Sequence, residues 1–176
     1  MTQFDRLADE ICESSAGPVF GVPGSGATLS LLDELEHRGR EFVLTHFEGA
    51  GAIMAGTVGR LSGRAGVAMS IKGPGVTNMV PGLAVSSLEA YPMVALVEAY
   101  GADASAAKAH KRIDQAALTS TVSKGITQST GKAPRFCQAA RLAEAETPGP
   151  VILELAQPEP DKPASLPEIP ADPEGS

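Results

Sequence analysis

Two hydrophobic rhythms alternate along the chain. Phe4, Leu7, Ala8, Ile11 and Cys12 recur at helical spacing and predict an amphipathic first helix that stops before Gly17-Pro18. A short apolar run, Val19 to Val22, reads as a strand entering the turn Pro23-Gly24-Ser25-Gly26, after which Leu29, Leu32 and Leu35 mark the expected buried stripe of a second helix. The unit then repeats. Phe42-Val43-Leu44 leads to Glu48 and a helix of small residues; Val67 to Ile71 leads to Gly73-Pro74-Gly75 and another helix. Met93 to Val97 has no polar position and predicts a strand covered on both faces. Further on, the pattern predicts a strand near residues 121–127, a helix over about 132–146 and a last strand over Val151 to Leu155.

Strands alternating with helices of this length imply an α/β fold, a mostly parallel sheet of about six strands with helices on both faces. Ligands of such sheets gather beyond the carboxyl ends of the strands, where the three glycine or acid turns fall. The pattern assigns residues 1–156 to one domain. From Gln157 the segment QPEPDKPASLPEIPADPEGS is rich in proline and has no periodicity, so 157–176 reads as an acidic linker or exposed tail.

Charge and composition remove several function classes. A net charge of −7 argues against nucleic acid or an anionic membrane as the main partner. The charged start lacks the apolar region of a signal peptide, and no apolar run approaches a membrane span, so the expectation is a cytoplasmic protein. Cys12 and Cys137 lack metal-type spacing and are expected as reduced core thiols; no metal-ligand set is expected on this chain.

Glu48 stands where a strand ends and a helix begins, followed by Gly49, Ala50, Gly51 and Ala52, so little side-chain bulk surrounds its carboxylate. An acid there is favoured by the helix dipole alone. The run to Arg60 also carries Gly56 and Gly59, and each interior glycine costs a helix about 1 kcal/mol relative to alanine, which marks a surface that another backbone or a ligand approaches closely. The turn Lys72-Gly73-Pro74-Gly75-Val76-Thr77-Asn78 repeats the arrangement, with Asn78 offering both a donor and an acceptor. A competing reading exists. Gly24-Ser25-Gly26 after the first strand, with an acid about twenty residues on, imitates a dinucleotide fingerprint, although Leu29 stands where its third glycine belongs. No Gly-Lys-Ser or Gly-Lys-Thr supports a P-loop.

Taken in order, Gly21-Val22-Pro23-Gly24, Glu48 with Met54, Ala55 and Arg60 behind it, Gly73-Pro74-Gly75-Val76-Thr77-Asn78, Tyr91-Pro92-Met93-Val94, Asp114 with Lys124, and Pro148-Gly149-Pro150-Val151 resemble one known domain. It is the N-terminal pyrimidine-binding domain of the acetolactate synthase and benzoylformate decarboxylase superfamily. The resemblance spans roughly residues 5–156. Phe47-Glu48-Gly49-Ala50-Gly51 and the short chain are also similar to the alpha subunits of split sulfopyruvate and phosphonopyruvate decarboxylases, whereas the Gly-Pro-Gly-Val-Thr-Asn turn is closer to acetolactate synthase.

The resemblance implies a thiamine-diphosphate-binding fold of pyrimidine type, with Mg2+ held by ligands on a diphosphate-binding beta subunit in an α2β2 or higher assembly. It implies that Glu48 hydrogen-bonds the aminopyrimidine ring nitrogen and favours the imino form, which takes the thiazolium proton. For this the carboxyl must be largely desolvated. Pro23, Gly24, Gly73, Pro74 and Asn78 are the further cofactor contacts it implies. Ser25 matches a substrate-contacting serine, and Lys72, His110 and Lys111, the last two within the basic stretch Lys108 to Arg112, are candidates for an anionic substrate. The leading expectation is a decarboxylase of an anionic 2-oxo acid, the alternative an acetolactate synthase-like carboligase; a dinucleotide-binding or non-catalytic regulatory module is the reading from another class. Two departures bear on chemistry. Phe47 stands where acetolactate synthases have histidine, and Ile71-Lys72 where benzoylformate decarboxylase has its second-turn histidine.

Overall fold

The computed structural model describes residues 3–101, 110–129 and 135–156. Its elements in chain order are α1 (Gln3–Ser14), β1 (Val19–Val22), α2 (Ala27–His37), β2 (Phe42–Leu44), α3 (Glu48–Ser62), β3 (Gly66–Ser70), α4 (Pro74–Leu88), β4 (Met93–Ala99), α5 (Gln115–Thr119), β5 (Gly125–Ser129), α6 (Phe136–Glu144) and β6 (Pro150–Ala156). The six strands form one sheet in the order β2-β1-β3-β4-β6-β5, and every neighbouring pair is parallel. This is the expected α/β architecture, entirely rather than mostly parallel. Among the described residues no helix is long and apolar enough to cross a membrane.

Burial explains the strand sequences. β3 and β4 are buried at every position, so both faces of each strand need apolar or small side chains, and Met93 to Val97 supplies them. Two cores result. Leu7 and Ile11 of α1, Leu31 and Leu35 of α2, and Phe136 of α6 pack on one face against Val67, Leu96 and Leu153. Ala52 and Ala55 of α3, with Val76, Met79 and Leu83 of α4, pack on the other against Phe20, Ala95 and Ile152. The chain leaves β1 toward the first face and leaves β2 and β3 toward the second. The carboxyl ends of β1 and β3 therefore flank a crevice between oppositely directed connections, the place where open α/β sheets bind ligands.

The glycines of α3 lie mostly on its buried side. Their purpose is visible where α4 crosses: a Cβ on Gly82 would collide with the Gly49 carbonyl oxygen and come within 2.6 Å of the Ala52 methyl. Only hydrogen at residue 82 allows this approach, which brings the middle of α4 over the start of α3.

Several local expectations change. The buried stripe of α2 is Ala27, Thr28, Leu31 and Leu35, while Leu29 is exposed and Leu32 half-buried, because the helix begins at Ala27 and turns Leu29 outward. Cys12 and Cys137 are free thiols but only half-buried, Cys12 at the edge of the core; Cys137 Sγ lies 3.1 Å from Ser14 Oγ. The strand expected near 121–127 runs over 125–129, preceded by the short helix α5 that periodicity did not show. α6 is shorter than the 132–146 expected for it. Lys108 and the proline-rich tail 157–176 lie outside the described residues.

Candidate functional site

Glu48 opens α3 directly after the extended Phe47, whose backbone, φ −155° and ψ 131°, delivers the chain from the edge of the sheet into the helix. Its side chain is 8% exposed, so the carboxylate has lost most of its water. Oε2 accepts a hydrogen bond of 3.1 Å from Asn78 Nδ2, an amide on the second turn of α4. Oε1 has no donor among the described residues. Gly75 forms the wall beside it: a Cβ there would stand 3.3 Å from Oε1 and 2.6 Å from Ser70 Oγ. The fold thus presents a largely buried carboxylate with one oxygen held by Asn78 and the other beside Gly75 without a donor among the described residues.

A second buried acid, absent from the sequence-based candidates, organises the neighbouring turns. Glu98 ends β4 and is 1% exposed. Its Oε1 accepts from Thr28 Oγ1 at 2.7 Å, Gly26 N at 3.2 Å and Thr28 N at 3.3 Å, and its Oε2 pairs with Lys72 Nζ at 2.9 Å. The first-turn amides of α2 have no local side-chain cap; a carboxylate seventy residues away takes that role. Thr28 Oγ1 in turn accepts from Gly24 N at 2.7 Å, which fixes the Pro23-Gly24 turn. Burial would push the Glu98 carboxyl up, but the hydrogen bonds from Thr28 and Lys72 and the Lys72 charge outweigh it and hold the group below its ordinary value.

That depression has a testable consequence. A carboxyl whose folded pKa lies below its unfolded value near 4.5 adds stability that is complete above that pH and is lost as pH falls through the lower folded value. Glu98→Gln, which leaves Lys72 beside an amide, is expected to destabilise the fold by about 2–4 kcal/mol at neutral pH. Urea unfolding of both proteins between neutral pH and pH 3 checks this, and the gap between them should shrink as acid protonates the wild-type carboxyl.

Lys72 is therefore paired, and its ammonium also lies 4.9 Å from the centre of the Tyr100 ring. The next residue, Gly73, has φ +67°, and a Cβ there would run into the Lys111 carbonyl oxygen, so two features demand glycine. Its N–H donates to Gln115 Oε1 at 3.0 Å. Gln115 Nε2 donates to Glu154 Oε1 at 2.6 Å, tying the turn to β6. Pro74 occupies the first position of α4, where its missing N–H is harmless. The other candidates sit apart from Glu48. Ser25 is exposed in its turn. His110 is exposed and contributes its carbonyl oxygen, which accepts from Tyr100 Oη at 2.8 Å. Lys111 lines a pocket together with Lys72, Tyr100 and Gln115, and Asn78 is not among its lining residues.

The sequence model of the family described as "Thiamine pyrophosphate enzyme, N-terminal TPP binding domain" matches residues 1–118. The chain belongs to this family. It is 33% identical over 170 residues to the catabolic acetolactate synthase of Raoultella terrigena, covering 95% of this chain and 30% of that protein. The acetolactate synthase large subunit of Corynebacterium glutamicum is 31% identical over 160 residues, 88% of this chain and 25% of its own length. A probable acetolactate synthase large subunit of Methanococcus aeolicus is 36% identical over 140 residues, 78% of this chain and 23% of its own length. The chain thus spans less than a third of the length of these relatives.

Thiamine pyrophosphate carries an aminopyrimidine ring, a flat heterocycle with acceptor nitrogens and an amino group, and the open Glu48 Oε1 beside a glycine wall is a fitting partner for one edge of it. The dinucleotide alternative fits the turn after β1 poorly. A dinucleotide places its pyrophosphate against the first-turn amides of the helix after β1, and here Glu98 already occupies those amides with a negative charge.

Proposed function

We propose that this chain supplies the aminopyrimidine-binding half of a thiamine-diphosphate-dependent enzyme that activates 2-oxo acids and joins the product to a second carbonyl compound, as an acetolactate synthase does. The observation that carries this reading is the buried Glu48 carboxylate, anchored by Asn78 and open at Oε1. The identities of 31–36% to acetolactate synthases favour carboligation over simple decarboxylation. When bound, thiamine diphosphate supplies an acidic thiazolium carbon and an electron sink for the bond to the departing carboxylate. Glu48 Oε1 holds the hydrogen bond to the ring nitrogen and shares its proton. Asn78 keeps the carboxylate in one rotamer. A second reading, decarboxylation of an anionic 2-oxo acid without ligation, draws on the cations around Tyr100.

Both readings need groups outside this stretch. We assign the diphosphate and Mg2+ to oxygen ligands on a second α/β unit, a beta-type subunit or its equivalent, in an α2β2 or larger assembly. Phe47, Ile53 and Met54 from the start of α3 and Val85 and Leu88 from α4 are exposed apolar side chains on the helices that carry Glu48 and Asn78, a surface suited to that partner. The free thiols accord with a cytoplasmic setting.

Calorimetry and product analysis test the reading. The chain alone should bind thiamine diphosphate weakly and NAD not at all. With its diphosphate-binding counterpart it should bind the cofactor in a magnesium-dependent way and release acetolactate from pyruvate. Release of aldehyde and carbon dioxide alone would move the assignment to the decarboxylase. Full cofactor affinity and turnover by the lone chain would refute the divided site.

A further inference from the structure

We propose that Glu98 is a positioning residue for the candidate site: with the Thr28 hydroxyl and the Lys72 ammonium it forms a clamp that sets the turns leaving β1 and β3, and through them the seat of Glu48. This deepens the function proposed above and rests on it. Glu98 is not itself a contact for cofactor or substrate. It is 1% exposed, and each of its oxygens already meets a donor.

Stability alone is a poor account of this acid. Burying a carboxylate is costly, and a buried ion pair holds a fold together no better than packed apolar side chains of the same size. Every other residue of β4 is apolar, and an apolar residue at 98 would continue that pattern. What the carboxylate adds is directed contact with segments far apart in sequence.

Oε1 gathers the start of α2 through Gly26 N, Thr28 N and Thr28 Oγ1, while Oε2 takes the Lys72 ammonium at 2.9 Å. The Thr28 hydroxyl, fully buried, is used twice: it donates to Glu98 at 2.7 Å and accepts from Gly24 N at 2.7 Å. Gly24 also rests on the acid directly, since a Cβ there would collide with the carboxylate. The turn that contains Pro23 and Gly24, two of the cofactor contacts proposed for this chain, is therefore shaped around Glu98.

Both tied segments lead to Glu48. After β3, Lys72 runs straight into Gly73, which opens α4, then to Gly75, where a Cβ would stand 3.3 Å from Glu48 Oε1, and to Asn78, which donates to Oε2. On the other side the Gly21 carbonyl accepts from Thr45 N at 3.0 Å, and Thr45 Oγ1 donates at 3.0 Å to the carbonyl of Phe47, the residue before Glu48. Gly21 also lies under the first turn of α3: a Cβ on Gly51 would come 3.1 Å from its Cα. The start of α3 is thus seated on β1 and on α4, whose approaches the clamp ties together.

The test turns on Thr28→Val, which keeps the side chain's shape and removes both bonds of its hydroxyl, and on Thr28→Ser, which keeps the hydroxyl. In the full chain alone, amide hydrogen exchange at Gly24 should quicken about tenfold in Thr28→Val and stay near the wild-type rate in Thr28→Ser. In the assembled enzyme Thr28→Val should lower kcat and deuterium exchange at the thiazolium carbon about tenfold, change KM for pyruvate less than about twofold, and be rescued by serine. Leu35→Val, a core change on the same helix, is the control for lost stability and should leave both rates unchanged. Glu98→Ala should lose more, and acetate, which has the atoms that this substitution removes, should return part of the rate to Glu98→Ala and none to Thr28→Val. Unchanged kcat and deuterium exchange in Thr28→Val, an equal loss in Leu35→Val, or no recovery with acetate in folded Glu98→Ala overturns the positioning role and leaves Glu98 a structural acid. Unchanged Gly24 exchange in Thr28→Val overturns the clamp itself. Absence of thiamine-dependent turnover in the wild type would strike the proposed function instead, and Gly24 exchange would still decide the clamp.

Discussion

Glu48→Gln should lower turnover of the assembled enzyme by about 10²- to 10⁴-fold while leaving the fold and most of the cofactor affinity in place. Glutamine has the size and shape of glutamate, and the amide oxygen can still accept from Asn78 as Oε2 now does at 3.1 Å. The group lost is Oε1, the oxygen proposed to share the proton. An amide can hydrogen-bond a ring nitrogen but cannot pass a proton back and forth with it, so the damage falls on the chemical step rather than on binding. Hydrogen–deuterium exchange at the thiazolium carbon of bound cofactor isolates that step from substrate binding and product release. Exchange as fast in the variant as in the wild type would remove Glu48 from the proton path and leave it a helix-capping acid.

Much of this site was readable because its parts are local. The strand-to-helix junction at Glu48, the small residues behind it and the Gly73 to Asn78 turn each lie within a few residues of sequence, where periodicity and glycine placement report directly on backbone demands. The parallel sheet followed from the same alternation of rhythms. The illegible parts are those joined across the chain. Glu98 sits inside a buried strand, and nothing near it in sequence marks its partners: Thr28 is seventy residues away and Lys72 twenty-six. The same holds for Gln115, which only the fold brings to Gly73 and Glu154. A charged residue closing a wholly apolar strand was the one available signal, since an acid survives there only with donors waiting for it. Lys72 shows the converse. Its place in a glycine turn suggests a cation aimed at a ligand, but the buried Glu98 carboxylate pairs it at 2.9 Å.

The shift of the α2 stripe has a similar origin. Leu29, Leu32 and Leu35 fit a three-residue spacing, yet the helix register is set at its start, where Glu98 takes the amides of Gly26 and Thr28. Thr28 must then point inward to reach the carboxylate, and Leu31 and Leu35 follow on its face. A buried polar contact therefore decides which leucines enter the core.

Asn78→Asp should be nearly as damaging as loss of Glu48, and in a way that depends on pH. Asn78 Nδ2 now donates to Glu48 Oε2; aspartate would set a second carboxylate at the same 3.1 Å. Even relaxed to about 4 Å, two like charges, one of them largely buried, repel by about 4 kcal/mol at an effective dielectric near 20, enough to change a protonation equilibrium about a thousandfold. The pair then titrates as a unit in which one carboxyl retains its proton well above the ordinary range. At pH 8 the two negative charges should drive the side chains apart and cost activity up to about a thousandfold, whereas near pH 6 a shared proton restores the hydrogen bond and part of the rate. Asn78→Ser provides the contrast. It removes the donor without adding charge, so its loss should be smaller, about tenfold, and the same at both pH values. Profiles of kcat against pH for the two variants decide the matter: parallel profiles would mean that Asn78 acts on the packing of α4 alone, whereas a deficit that deepens with pH only in the aspartate variant identifies Asn78 as the residue that positions the Glu48 carboxylate.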